Sequence, residues 1–502
     1  MKEVRFGPFC LDLERRELLR DGAVVALGSR AIDVLCVLVA ANGDLVTKDE
    51  LMDVVWPGVI VEENNLQVQI SALRKALGGG KDGQSYVVTA PGRGYRFVGL
   101  SGAAGARLSD DREPADKPSI AVLPFENLGG DPEHEYFADG LAEDLITDLS
   151  QVSGLFVIAR HSSFAYRGKS ADVRSIARSL GVRYVLEGSA RRAAQRVRIN
   201  VQLIDAIDGG LLWAERFDRS LDDVFKVQDE VTSKIVEALV GRLRAMQLPE
   251  RKKATNLEAY DLCVRGRALL FQSPLAAREA RLMFERAIAL DPEFAEPLRW
   301  LAFSLSSAWL FMGEPMETNR RRAFEAAQKA LALDPKDAST RWVHGILLAH
   351  DRRWAEAEAE FATALKLDPN NADAWAMLSE LMVLSGRPSD ALADIQKALR
   401  LNPHPPGVYY WFLGQAQYLD RQYDRAVQTL RREETYRTPS RRTLAASLAQ
   451  LGRLDEARRE AEMFMVSNPH FTIHHWIESL PFRDERAHQH FIDGYRKAGL
   501  PE

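Results

Sequence analysis

Amide and hydroxyl side chains occupy one face of the segment 62–77, whose other face is apolar. Residues recur on one helix face at steps of three and four, because each residue turns the chain by about 100°. The apolar stripe consists of Leu66, Ile70, Leu73 and Leu77, and the opposite face carries Asn64, Gln67, Val68, Ser71 and Lys75. A solvated face normally carries Glu and Lys pairs, but here no acid follows Glu63. Amides, hydroxyls and a small apolar group are suited to contacting base edges in the major groove of DNA.

Four basic residues near this face are of the type that fixes a protein on the DNA backbone. Guanidinium and ammonium groups bind phosphates, which position a protein without specifying sequence. The four are Arg74 and Lys75 at the helix end, and Arg93 and Arg96 in a hairpin predicted over 86–98. Two glycines flank Arg93 and permit close approach to a ligand, although a tight turn with no ligand would also explain them. The candidates for base contacts are Asn64, Gln67, Val68 and Ser71.

The distribution of charge supports a nucleic-acid partner, although the total charge does not. The formal net charge is −5 at pH 7, and an even spread of it would repel DNA. Between Asn64 and Val98, however, there are five basic residues and one acid, Asp82. This local positive charge favours double-stranded DNA as a partner.

Turn and capping signals predict the elements that hold these residues. Short β-rich segments, separated by turn signals, lie at 4–6, 9–13, 17–19 and 23–27. Ser29 is suited to cap a helix that ends near Asn42. Thr47 and Glu50 form a capping box for a second helix, which stops before Pro57. The predicted order is a small sheet, three helices and a hairpin.

Four motifs within the first hundred residues point to a known family in combination. They are LVTKDEL at 45–51, VWP at 55–57, ISALRKALG at 70–78 and GRGYRF at 92–97. Residues 1–100 thereby resemble the winged helix-turn-helix domain of the OmpR/PhoB family, and more closely that of CadC-like regulators. The resemblance implies that the helix 64–77 enters the major groove. It also implies that the hairpin is a wing that follows the backbone or the minor groove.

A flexible linker and an α/β domain are predicted next. Residues 101–118 are small and polar and include no aromatic residue, as is typical of a tether. Strands and helices then alternate, which predicts an α/β domain over 119–250. Motifs at 120–125, 136–140, 184–189 and 212–216 resemble the TolB-amino-terminal-like domain, which occurs beside class III adenylate cyclases and in CadC-like regulators. A long amphipathic helix at 221–248 would pack on the sheet or, alternatively, on a second chain.

The sequence offers no convincing catalytic, cofactor or metal site. The acids on one predicted helix fit a broad solvated face better than a catalytic pair, and they are Asp139, Glu143, Asp144 and Asp148. The glycines before Lys81 lack the spacing of a phosphate-binding loop, and no cyclase catalytic domain is recognisable. The histidines at 474, 475, 488 and 490 have no acid or Cys at the spacing of a metal site. We therefore expect a protein that is not an enzyme and uses no cofactor.

A repeated phrase marks the last half of the chain. It ends at Asp291-Pro292, Asp334-Pro335, Asp368-Pro369 and Asn402-Pro403. The last three prolines are spaced by 34 residues, the period of tetratricopeptide repeats. Residues 255–502 therefore resemble this family, with about five or six repeats stacked into an all-α superhelix whose concave face receives a peptide or partner helix. Four tryptophans could line that groove or belong to the repeat core: Trp300, Trp309, Trp342 and Trp411.

The predicted fold class is multidomain α+β, with a winged helix-turn-helix, an α/β domain and an all-α tetratricopeptide superhelix in that order. The longest apolar run, 34–41, is too short to span a membrane, and the amino terminus does not resemble a secretion signal. The three cysteines are widely spaced, which fits a reducing compartment, so we expect a cytoplasmic protein with no membrane contact.

The predicted function is sequence-specific DNA binding in transcription regulation, with rear modules that sense or recruit a partner. A homodimer on DNA, RNA polymerase and a protein or peptide in the repeat groove are the candidate partners besides DNA. Two alternatives remain open from the sequence. One is an interaction scaffold that uses the winged helix for protein contacts, and the other is a cyclase-associated regulatory protein.

Overall fold

A computed structural model describes most of the chain, and its residues fall into two compact units, Met1–Asp111 and Arg112–Glu502. The described residues are 3–6, 8–12, 16–20, 23–25, 27–40, 46–56, 63–77, 86–90, 94–97, 118–129, 135–152, 154–169, 172–193, 195–220, 223–240, 254–311, 316–437 and 439–502. Residues 101–117 of the predicted linker lie outside them, as does Arg93. Among the described helices, none combines the length and the apolar character that a membrane span requires.

The described residues of the first unit form two small sheets and three helices. An antiparallel sheet is formed, in this order, by β1 (Glu3–Phe6), β2 (Phe9–Asp12), β3 (Glu17–Arg20) and β4 (Ala23–Val24). The helices are α1 (Ser29–Ala40), α2 (Lys48–Val55) and α3 (Glu63–Leu77). The second sheet has the order β5 (Val46–Thr47), β7 (Gly94–Phe97) and β6 (Val87–Ala90). The predicted order of sheet, helices and hairpin is confirmed, and Thr47, expected only as a helix cap, also pairs with Gly94.

The second unit begins with a mixed sheet. Its strands are β8 (Ser119–Val122), β9 (Glu126–Asn127), β10 (Phe156–Val157), β11 (Tyr184–Ala193), β12 (Arg196–Asp205) and β13 (Gly210–Ser220). The strand order is β10-β8-β11-β12-β13, with β9 beside β11. β10, β8 and β11 run parallel, whereas β11, β12 and β13 run antiparallel.

Helices cover both faces of this sheet. They are α4 (Glu135–Ser150), α5 (Arg160–Phe164), α6 (Val173–Leu180) and α7 (Val224–Val240). α4 and α7 share a core with Ile120 and Val122, while α6 packs beside Ala121 and Val185 on the other face. Successive residues of a strand point to opposite faces, so the two cores alternate along β8. The α/β arrangement is thus confirmed, and α7 packs on the sheet, as the first of the two alternatives predicted.

Helix pairs make up the remainder of the second unit. The helices are α8 (Leu257–Leu270), α9 (Pro274–Leu290), α10 (Ala295–Phe311), α11 (Met316–Leu333), α12 (Ala338–His350), α13 (Trp354–Leu367), α14 (Ala372–Leu384), α15 (Pro388–Leu401), α16 (Gly407–Leu419), α17 (Tyr423–Leu430), α18 (Arg441–Gln450), α19 (Leu454–Ser467), α20 (Ile473–Ser479) and α21 (Glu485–Ala498). From α8 to α19, each even-numbered helix packs on the next one along the chain. At Gly345 a Cβ atom would lie 2.9 Å from the Phe361 ring, so a small residue there lets the two helices of the pair approach. The all-α region of tetratricopeptide type is confirmed.

The Asp of the repeated phrase has a local structural role. An Asp334 carboxylate oxygen accepts a hydrogen bond from the backbone N of Lys336 at 3.1 Å, and Asp368 accepts one from Asn370 at 3.1 Å. These bonds close the turn between two repeats. The proline that follows Asp368 has no N–H, so it cannot continue the helix and favours the same turn.

The acids of α4 are not solvated, and the expectation of a broad solvated face is therefore wrong. Asp139, Asp144 and Asp148 are 8%, 9% and 8% exposed. Asp144 accepts hydrogen bonds from the Tyr260 hydroxyl at 2.7 Å and from Gln228 Nε2 at 2.9 Å. Helical spacing shows which residues share a face, but it does not reveal that α7 and α8 cover this one.

Several polar contacts join the sheet-containing part to the helix pairs, among them those of Arg267 and Asn370. At the first, Arg267 of α8 is buried among Asp144, Glu296 and Glu143, at 3.3, 2.6 and 3.6 Å. At the second, Asn370 Nδ2 donates to the backbone oxygens of Ser150 and Leu155, both at 2.9 Å. One hydrophobic core runs through both parts, so the described residues of 112–502 form a continuous unit.

Tyr260→Phe tests the hydrogen bond from the Tyr260 hydroxyl to Asp144, one of the carboxylates around Arg267. Burial and the nearby Asp144 carboxylate raise the pKa of Tyr260 well above its ordinary value, so its hydroxyl is a neutral donor. Removing it leaves a buried carboxylate with one donor fewer, which we expect to lower the free energy of unfolding by about 1 to 3 kcal/mol. Urea unfolding of the full chain, followed by tryptophan fluorescence, measures the loss. Tyr410→Phe is the matched control, and an equal loss in both variants would contradict the assigned role.

Candidate nucleic-acid interface

The apolar stripe of α3 determines which side of the helix faces solvent. Leu66, Ile70, Leu73 and Leu77 are between 0% and 2% exposed, and they pack with α1, β6 and β7 in the core of the first unit. Burying a Leu or Ile side chain stabilises a fold by roughly 1.5 to 3 kcal/mol. Rotation of α3 about its axis would expose this stripe, so its opposite face is held outward.

Most of the predicted base-contacting residues lie on that outward face. Gln67, Val68 and Ser71 are exposed, and Val68 keeps 57% of its surface in solvent. Val68 and Ser71 are three residues apart, and Gln67 and Ser71 four, so both pairs are neighbours on the helix surface. The side chain of Asn64 lies outside the described residues, although its backbone is in the first turn of α3. An isolated exposed Val is common on protein surfaces, but here it is flanked by an amide and a hydroxyl.

Arg74 has a structural contact that sequence reasoning missed. Its Nε donates a hydrogen bond to the backbone oxygen of Val87 at 2.9 Å, and the side chain is half-buried. Val87 is the first residue of β6, so the bond joins the end of α3 to the start of the hairpin. Spacing along the helix could not reveal this bond, because the acceptor lies 13 residues further along and on another element. The predicted phosphate contact of Arg74 stays a prediction beside this positioning role.

Lys75 and the hairpin complete the candidate surface. Lys75 is exposed at the end of α3, one helical turn after Ser71. In the hairpin, Arg96 pairs with Val88, between the buried neighbours Tyr95 and Phe97. Nothing in the structure describes Arg93 or the side chain of Arg96, so their phosphate contacts stay predictions. The described part of this surface can bind a groove by hydrogen bonds, apolar contact and charge.

Other candidates from the sequence turn out to be packed in the second unit. Trp342 and Trp411 are 7% and 3% exposed. His488 stacks on Phe482 and His490 on Tyr418, each with ring centroids 4.6 Å apart, and burial lowers the pKa of both histidines. Among the described residues, no group of three His, Cys, Asp or Glu side chains is placed to hold a metal ion.

Comparison with protein families separates the chain into three recognised parts. Residues 22–97 match the family described as transcriptional regulatory protein, C terminal. Residues 115–234 match the second domain of HilA/YgeH-like transcriptional regulators, and residues 348–393 match a tetratricopeptide repeat. The chain therefore contains an OmpR/PhoB-type DNA-binding domain, a HilA-like regulator domain and a tetratricopeptide repeat.

Three curated proteins illustrate the range of its relatives. A Rhizobium meliloti (strain 1021) protein, provisionally named adenylate cyclase 3, is 50% identical over 48% of this chain and 42% of its own length. Transcriptional regulator HilA of Salmonella typhimurium (strain LT2) is 23% identical over 69% of this chain and 61% of its own length. Transcriptional activator CadC of Escherichia coli (strain K12) is 33% identical over 19% of each protein. The chain thus spans less than two thirds of each of these relatives.

Gln67→Ala and Lys75→Ala should separate base contact from backbone contact. Gln67→Ala is expected to reduce the preference for a cognate site over other DNA by about 1 to 3 kcal/mol, because a bidentate contact is lost. Lys75→Ala should weaken binding to all sequences alike. It should also reduce the slope of the logarithm of the binding constant against the logarithm of salt concentration by about 1. Gel-shift titrations at several salt concentrations, on specific and scrambled DNA, measure both effects. If both variants lose only non-specific binding, Gln67 does not contact a base.

Arg74→Ala should destabilise the first unit through its lost bond to Val87. We expect the free energy of unfolding to fall by about 1.5 to 3 kcal/mol, the range for a hydrogen bond from a charged group. Circular dichroism during thermal unfolding of a fragment of residues 1–111 measures this loss of stability. The adjacent exposed Lys75→Ala is the control and should change stability by less than about 0.5 kcal/mol. Equal stability of the two variants would leave Arg74 without a positioning role.

Proposed function

We propose that this chain is a sequence-specific DNA-binding transcriptional regulator that performs no catalysis. The observation that carries the proposal is the exposed amide, hydroxyl and valine face of α3, opposite a fully buried leucine-rich stripe. An ordinary solvated helix face carries mainly Glu and Lys pairs. Amide, hydroxyl and small apolar groups are instead complementary to base edges in a major groove. The match of residues 22–97 to a family of transcriptional regulatory domains supports the same assignment.

Individual residues take different parts in the proposed complex. Asn64, Gln67, Val68 and Ser71 contact base edges and give specificity. Lys75, Arg93 and Arg96 bind phosphates, and Arg74 does so while it also holds the hairpin against the recognition helix. We propose that the DNA-bound protein acts in the cytoplasm.

The second unit, residues 112–502, is proposed to regulate DNA binding in response to a partner or ligand. The polar contacts of Arg267 and Asn370 tie the sheet to the helix pairs, so a ligand bound to the repeats would act on a continuous unit. Two copies of the chain on paired half-sites would gain affinity, since the second contact becomes intramolecular. RNA polymerase is a further candidate partner of the DNA-bound protein.

A cyclase-associated role is the second candidate. It is favoured by the 50% identity to a relative that carries an adenylate cyclase name. That alignment covers 42% of the relative, so similarity does not extend over most of it. An assay of ATP turnover by the purified chain tests whether it has cyclase activity of its own, and we expect no cyclic nucleotide.

DNA binding itself is tested by its salt dependence. Several phosphate contacts require that the logarithm of the binding constant fall steeply and linearly with the logarithm of salt concentration. We expect this slope for the full chain and for residues 1–111 on duplex DNA selected by genome-wide footprinting. Deleting residues 112–502 should change stoichiometry or affinity at the same site. A flat salt profile would favour the protein-interaction scaffold, and unchanged binding after deletion would remove the regulatory role of the second unit.

A further inference from the structure

The mixed sheet of the second unit has two edges, and the described residues cover one of them. At that edge β10 is only two residues long, and the repeats bind its outward backbone groups. The Val157 N–H donates to Asn370 Oδ1 at 3.5 Å, and the N–H of Ala159, just after β10, donates to the Leu401 oxygen at 2.9 Å. At the other edge, β13 pairs with β12 alone among the described strands. One side of β13 therefore carries backbone donors and acceptors that no described strand pairs.

β13 lacks the features that commonly protect an open edge. It is 11 residues long, whereas strands are usually about 5 to 6 residues long. It contains neither Pro nor Lys, and its one irregularity of register lies near its beginning, opposite Leu203 and Ile204. Long edges without such protection pair readily with another strand. A strand from a second polypeptide can therefore extend the sheet here.

Two charged side chains in the middle of β13 have no oppositely charged partner among the described residues. They are Glu215, which is half-buried, and Arg216, which is exposed. Because successive residues of a strand point to opposite faces, these two cannot pair with each other. Arg219 lies on the same face as Glu215, and its ion pair with Glu230 is long, at 3.7 Å. The middle of the open edge thus offers charges of both signs to a partner.

A second copy of β13 supplies opposite charges in one register. When a strand pairs antiparallel with its own copy, a two-fold axis passes between the strands, so one residue lies opposite itself and its neighbours pair crosswise. With the axis at Phe217, Glu215 lies opposite Arg219 of the second copy, and symmetry forms this pair twice. Arg216 then lies opposite Asp218 of the second copy. Two arginines of β12 already bind that acid, so the Glu215 pairs contribute more.

Other registers lack this complementarity. Axes at the remaining residues from 213 to 218 place no acid opposite a basic residue within β13. Axes at Glu215, Arg216 or Asp218 place a charge opposite its own copy, which destabilises a strand pair. The charge pattern of the edge therefore favours the register centred on Phe217.

We propose that β13 is the interface between two copies of this chain, which join their sheets edge to edge in the register centred on Phe217. Backbone hydrogen bonds across residues 214–220 give affinity, and the charge pairs fix the register and exclude other strands. Formation of this dimer needs no DNA. Its use, to present two winged helices to paired half-sites, rests on the proposed function.

The oligomeric state of the purified full-length chain tests the proposal. Sedimentation velocity without DNA, over a range of micromolar concentrations, should show a reversible dimer. Hydrogen exchange measured by mass spectrometry should be slower at the amides of 210–220 above the dissociation constant than below it. The amides of β8, in the interior of the sheet, should exchange alike in both samples. A chain that stays monomeric overturns the proposal, as does a dimer with unchanged exchange in 210–220.

Charge reversal locates the interface more closely. Glu215→Arg and Arg219→Glu each place like charges opposite each other twice, so each should weaken dimerisation by about tenfold or more. The variant with both changes restores opposite charges and should regain most of the affinity. Glu462→Arg alters an exposed residue of α19 and should dimerise like the parent chain.

Circular dichroism checks that each variant folds, and if one single variant does not fold, the other decides. Undiminished dimerisation by a folded single variant would overturn the interface. A double variant no stronger than the single variants would overturn the register. Loss of the DNA interaction in a chain that still dimerises would contradict the proposed function alone, so the two failures are distinguishable.

Discussion

Burial of the Arg267 guanidinium among carboxylates is the constraint on which the second unit depends. Its side chain is 4% exposed, and Glu296, Asp144 and Glu143 lie within 3.6 Å of it. A charge removed from water must be compensated by partners, and leaving one partner unpaired costs roughly 3 to 5 kcal/mol. The partners come from both α4 and α10, so the sheet and the first helix pairs have to form together.

The ion pairs around Arg267 continue into the repeats, because Glu296 also pairs with a second arginine. Glu296 also accepts from Arg299 at 3.0 Å, and Arg299 lies 3.4 Å from Asp337, the residue that caps α12. Further along, Asn370 in the turn after the repeated phrase binds backbone atoms beside α4. The turn at Asn370 therefore has two roles: it ends a helix of the repeats, and it contacts the part of the chain that contains the sheet. A ligand bound among the later helices would act on a scaffold whose parts share polar contacts and one hydrophobic core.

Much of the local structure could be predicted because it follows short-range periodicity. The stripe from Leu66 to Leu77 specified α3 and its outward face, and the 34-residue spacing of prolines specified the repeats. The same reasoning failed for Asp144, because helical spacing carries no information about a partner such as Tyr260, 116 residues away. For the candidate interface, it identified Gln67, Val68 and Ser71 as a group but missed that Arg74 is bonded to the hairpin.

The sequence alone determined the classes of element, their order and the chemistry of the α3 surface, because these depend on residues a few positions apart. Only the tertiary structure decided which polar groups are buried and what they face. The contact of Ser150 with Asp368 spans 218 residues, and a cavity lined by residues of α12, α14, α16 and α18 exists only where these separate helices converge. Burial and pairing of this kind depend on how elements pack, so no local pattern could have predicted them.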